Sequence, residues 1–184
     1  MLEDHAKYML GVWIDQGEEE LVKAMEEALV FPGAGATVLT ACVSILLEKQ
    51  DSNEWDQMSA MIIALFENNL VSKSDISAGM ERLAYNAVHS IHDRLDRFGE
   101  YFYQFAVRNL YTLEQLCEYT TTILFDQKKR VDLVRACMRR MRHRFGIEFR
   151  SWYFCDAQQR SLLEEYLGAS AFNELLVEFN AMSE

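Results

Sequence analysis

Along nearly the whole chain apolar residues return every three or four positions, and strict alternation is almost absent, which is the period of helices rather than strands. An opening helix over His5 to Gln16 puts Tyr8, Met9, Val12 and Trp13 on one stripe. A second, Glu18 to Leu29, turns Leu21, Val22, Met25 and Leu29 inward and sets acids in its first turn, where the helix dipole favours them. Phe31-Pro32-Gly33-Ala34-Gly35 breaks the pattern, and the uncharged stretch Thr37 to Lys49 then reads as a helix buried on most of its circumference. Further helices follow over Glu54 to Asn68, from a cap at Ser72 or Ser74 through Ala87, and over Leu95 to Leu110, the last carrying Phe98, Phe102, Phe105 and Ala106. Thr112 with Gln115 and Asp156 with Gln159 have capping-box spacing, opening helices over Leu113 to Phe125 and to about Leu167. Between them lies Lys128 to Arg144, and after the break at Gly168 a cap at Ser170 opens a last helix to Phe179.

The expectation is an all-α fold of nine or ten helices with short connectors. Short links make antiparallel hairpins, and stacked hairpins make an α-solenoid of HEAT-like kind. No strict sequence repeat is evident, so any repeat is structural and divergent. A compact bundle is the competing architecture, and periodicity does not separate the two.

Composition changes this picture in two respects. Eighteen Lys and Arg stand against 29 Asp and Glu, a net charge of −11 that disfavours indiscriminate nucleic-acid binding and favours the basic face of another protein. The charge is also uneven: Lys128, Lys129, Arg130, Arg135, Arg139, Arg140, Arg142, Arg144 and Arg150 fall between Asp126 and Arg150, opposed there only by Asp126, Asp132 and Glu148. Such a stretch reads either as an RNA- or partner-binding face, with Lys128, Lys129, Arg130, Arg139, Arg140 and Arg142 as its residues, or as a helix docked on acidic neighbours such as Glu18 to Glu20. The absence of interleaved aromatics for base stacking favours docking.

Other chemistry has little support in the residues. Cys42, Cys117, Cys137 and Cys155 lie far apart without a CxxC pair, as reduced cysteines used as small hydrophobes do. His89, His92 and Asp93 have helical metal-site spacing, but no other His or Cys lies within twenty residues to complete a shell. No GxSxG, GxxxxGK[ST] or HExxH motif occurs, so no enzyme, cofactor or metal is expected. Charges at Glu3, Asp4 and Asp15 argue against a signal peptide, and the glycines, proline and hydroxyls of Ala28 to Leu47 argue against a membrane span. A cytoplasmic monomer is the expectation.

From Leu70 onward, Leu-Val-Ser-Lys-Ser-Asp-Ile-Ser-Ala-Gly-Met-Glu-Arg-Leu83 resembles the central signature of the MI (MA-three) domain, found in translation initiation factor 4G and programmed cell death protein 4. Phe102 to Leu110 is similar to the family's later helix, and the likeness covers residues 5 to 125. Residues 126–184, including Phe145 to Leu167, look like the longer C-terminal part of the factor 4G version, which makes 1–184 a single MI-type domain with a helical extension. Family members place an Asp-x-x-x-Asp-x-Pro segment in an inter-helix loop. Counted from Gly79, its second aspartate falls on Asp93 and its first on His89, while Arg94-Leu95-Asp96 lacks the proline and offers Asp96 as a substitute. The resemblance implies a HEAT-like, non-enzymatic adaptor of translation initiation. It would bind the DEAD-box helicase initiation factor 4A, with Asp93, Asp96 and His89 at the contact. The alternative from the residues alone is a helical RNA-binding module using 128–150.

Overall fold

The computed structural model describes residues 2–28, 52–89, 94–124, 126–145 and 156–181, together with 35, 38, 39, 41 and 42. Among these the chain is all-α, without strands, in nine helices. They are α1 (Leu2–Gln16), α2 (Glu18–Ala28), α3 (Ser52–Glu67), α4 (Lys73–His89), α5 (Arg94–Ala106), α6 (Leu113–Ile123), α7 (Gln127–Phe145), α8 (Ala157–Leu167) and α9 (Ala169–Ala181). The expected uncharged helix falls largely outside the described residues, but Val38, Leu39, Ala41 and Cys42 within it are helical and buried, as is Gly35, expected in the preceding break. No described helix is long and apolar enough to cross a membrane.

The packing resolves the choice between solenoid and bundle. Helices two apart in sequence stack on each other: α3 on α5 on α7, and α4 on α6 on α8. Matched contacts along α5 and α7 rise together in number, from Gly99 against Ala136, through Glu100 against Arg140, to the rings of Tyr103 and Phe145 5.3 Å apart. The two therefore run in the same direction, with α6 returning between them. Two rows built this way are the arrangement of a solenoid of helix hairpins. α1 and α2 close one end against α3, tied by Trp13 Nε1 donating to Gln57 Oε1 at 3.1 Å and Asn68 Nδ2 donating to Glu18 Oε1 at 2.8 Å.

The turns contain a repeat that composition does not reveal. Asn69-Leu70-Val71-Ser72 and Asn109-Leu110-Tyr111-Thr112 lie forty residues apart and are built alike. Each asparagine has a left-handed backbone, φ 59° and 53°, and each following leucine N–H returns to the carbonyl five residues back, Leu65 and Phe105. Ser72 then caps α4, its Oγ accepting from Asp75 N while Asp75 Oδ2 accepts from Ser72 N; Thr112 and Gln115 form the same reciprocal pair at α6. Ser72 rather than Ser74 is therefore the cap. The turns are themselves joined, since Lys73 Nζ donates to the carbonyl of Asn109 at 2.9 Å. Asp156 caps α8 from its side chain to Gln159 N at 2.8 Å, but Ser170 lies inside α9, which starts after Gly168 at φ 82°. Ser72→Ala and Thr112→Ala should each lower stability by about 1 kcal/mol, read from urea midpoints, because each leaves a helix donor without its side-chain acceptor.

α5 is the centre of the core. Phe98, Tyr101, Phe102 and Phe105 are all buried, and Tyr101, which the apolar stripe misses, is 1% exposed because α3, α4 and α7 cover α5 on several sides. Tyr111 is likewise buried, edge-on to Phe102. Tyr8, expected inward, is instead exposed; the stripe of α1 is centred on Met9 and Val12, which leaves Tyr8 at its edge. Cys42, Cys117 and Cys137 are buried free thiols, and burial pushes Cys42 and Cys117 up to about 12, so they stay protonated. Cys155 lies outside the described residues.

Candidate functional site: the acidic connector and the basic helix

The basic helix docks within the fold. On α7, i and i+4 residues share a face, and Arg140 and Arg144 both reach Glu100 of α5, whose side chain is only 13% exposed. The next strip of the same helix, Arg135 and Arg139, reaches Glu178 of α9: Arg135 Nε at 3.0 Å, Arg139 Nη2 at 2.8 Å. Arg135 also meets Asp132 at 2.8 Å. Two carboxylates thus hold four guanidiniums between helices. Desolvation first, and then neighbouring Arg144, lower the pKa of Arg140, whose side chain is partly covered by α5. The acids are Glu100, Glu178 and Asp132, not the expected Glu18 to Glu20. Their position could not be read from sequence, because it depends on which helices stack.

The remaining basic residues divide by burial. Arg130 is half-buried with its guanidinium 5.5 Å from the Tyr166 ring centre, a cation–π contact at the α7–α8 face. Tyr166 is itself buried and shares a hydrogen bond with Thr120 of α6. Arg142 is half-buried, whereas Lys128 and Lys129 are exposed in the first turn of α7, where their backbone N–H groups bond the Asp126 carboxylate at 2.9 and 3.3 Å. The six residues expected as one cationic face are therefore not gathered on one surface: Arg139 and Arg140 are held on different neighbours, and the two lysines lie at the helix start.

The acidic connector is the link between α4 and α5. His89 ends α4, exposed, with Nδ1 2.8 Å from the Tyr85 carbonyl oxygen and its ring stacked on Tyr85 at 4.2 Å. Asp96 is exposed in the first turn of α5, where a carboxylate is favoured by the helix dipole. His92 and Asp93 lie outside the described residues. The structure thus places His89 and Asp96 on either side of one inter-row connector. No group of three or more His, Cys, Asp and Glu is placed to hold a metal among the described residues. Comparison with protein families, with curated proteins and with solved structures finds no match.

Proposed function

We propose that this chain is a non-enzymatic, cytoplasmic adaptor of translation initiation. It binds a DEAD-box helicase of the initiation factor 4A type through the acidic connector around Asp93 and Asp96. One observation carries the choice between protein and RNA as partner: Arg135, Arg139, Arg140 and Arg144 are held by Glu100 and Glu178, within a chain of net charge −11. Four of the clustered guanidiniums are thereby paired with carboxylates of neighbouring helices, and the chain as a whole keeps its acidic excess. An acidic, helical, two-row surface suits the basic face of a folded partner, where complementary charge sets orientation and association rate.

Carboxylates on an inter-helix connector also suit this role chemically. They accept charge-assisted hydrogen bonds from a partner's Arg or Lys, and Asp96 is exposed in the first turn of α5. Asp93→Asn, which can still cap a helix, should keep the melting temperature and weaken helicase binding by about 1.5–3 kcal/mol. Affinity capture of the helicase from a cell extract, with and without RNA and an ATP analogue, provides the test. Full recovery by a variant with Asp93→Lys and Asp96→Lys would remove the connector from the mechanism.

A further inference from the structure

A second surface lies on the row formed by α4 and α6. Between these helices runs a groove of about 560 Å³, walled by Glu81, Arg82, Tyr85 and Asn86 of α4 and Tyr119 and Ile123 of α6. Tyr85 is 44% exposed, a large aromatic ring left in water. Its ring is not loose, since it is stacked on His89 with an interplanar angle of 28°, and His89 is anchored on the Tyr85 carbonyl. Tyr119 packs from the opposite wall onto the core. Glu81 is half-buried between them and accepts from Ser77 Oγ at 3.3 Å. Glu81, Tyr85 and Tyr119 line the same groove, and burial first, then the Glu81 carboxylate and Tyr85, push the Tyr119 phenol up.

The lining selects the occupant. Its charged groups are Glu81 and Arg82, since Asp75 is taken up in the Ser72 cap and Lys73 is bonded to the Asn109 carbonyl. Arg82 is exposed and makes no ion pair with Glu81 among the described residues, which leaves the Glu81 carboxylate as the charged acceptor of the groove. Two tyrosine rings, one of them backed by His89 on its other side, beside a half-buried carboxylate match a planar cation, which stacks on a ring while donating to the acid. We infer that the α4–α6 groove is a receptor for an arginine side chain presented by a protein partner. The inference deepens the proposed function and rests on it only in taking the partner to be a basic protein.

The test uses the full chain and the peptide acetyl-Gly-Ser-Arg-Ser-Gly-amide, with its citrulline counterpart as the neutral isostere. In amide NMR titrations the arginine peptide should give saturable shifts at Ala78, Tyr85, Asn86, Tyr119 and Ile123, and the citrulline peptide should not. Glu81→Gln should weaken binding about tenfold. Tyr85→Leu should weaken it about threefold or more, while Tyr85→Phe, which keeps the ring face, should not. Unchanged melting temperatures keep these effects from being read as unfolding. Equal shifts with citrulline, shifts scattered over every acidic helix, or unchanged binding by Glu81→Gln and Tyr85→Leu would overturn the inference. Helicase binding measured beside it separates the two claims. Peptide binding without helicase binding supports the groove as the receptor of another basic protein, and helicase binding without peptide binding removes the groove while keeping the connector.

Discussion

Gly99→Ala is expected to destabilise the fold by about 3 kcal/mol, the upper range for an added methyl in a packed core. A Cβ at this position would lie 2.6 Å from the Ala136 carbonyl oxygen and 2.9 Å from its carbon. Both are backbone atoms of α7, so no side-chain rotation relieves the clash, and α5 and α7 must separate along their shared face. That face carries the Glu100 ion pairs and the Tyr103–Phe145 ring contact, so separation also loosens the packing there. Gly11 in α1 is the internal control: nothing lies within 4 Å of its added Cβ, and Gly11→Ala should be neutral or stabilise by up to ~1 kcal/mol from helix propensity. Urea unfolding followed by circular dichroism at 222 nm measures both. Equal effects at the two positions would contradict the close approach of α5 and α7.

The second large effect is expected at Arg140→Glu, with a loss of about 2–3 kcal/mol. The substitution removes a guanidinium from a carboxylate whose side chain is 13% exposed and sets a second carboxylate against it. Arg139→Glu meets Glu178 in the same way, but the Arg139 side chain is 56% exposed and water screens the repulsion, so about 1 kcal/mol is expected. A double-mutant cycle of Glu100→Gln with Arg140→Gln isolates the pair and should give a coupling of about 1 kcal/mol or more. Additivity at that pair, with Arg140→Glu as stable as the parent, would mean that the basic helix is not docked through Glu100.

Much of the fold is legible in the sequence because helices are local. Apolar spacing places α3, α4, α6 and α7 to within a few residues, and Thr112 with Gln115 marks the start of α6 at the residue where it occurs. The stacking of the rows is non-local, so the sequence does not select solenoid over bundle. The turns at Asn69 and Asn109 carry the missed signal: two asparagines forty residues apart, each followed by leucine and then, two residues on, by a hydroxyl cap. Asparagine tolerates the left-handed backbone that ends a helix, and so the pair could have been read as a repeat. α5 ends at Ala106 rather than Leu110 for the same reason, since the left-handed Asn109 turns the chain before Leu110.

The candidate sites were less legible. A run of arginines reads alike whether it faces solvent or a partner helix. The distinction depends on Glu100 and Glu178, which lie 40 and 38 residues from Arg140 in sequence. The α4–α6 groove was missed for a different reason. Tyr85 and Tyr119 read as ordinary apolar positions until the rows are stacked, and only then do they share a groove with Glu81. His89 was singled out for metal spacing and for the family pattern, whereas in the structure its ring supports Tyr85.

The central claim is that the acidic surface, and not the basic helix, meets the partner. Isothermal titration of the purified chain with a purified initiation factor 4A-type helicase, and in parallel with a single-stranded RNA, tests it most directly. The account predicts saturable helicase binding that weakens with salt and is lost on Asp93→Lys with Asp96→Lys, and no comparable binding of RNA. RNA binding lost on Lys128→Glu with Lys129→Glu, together with no heat from the helicase, would contradict it.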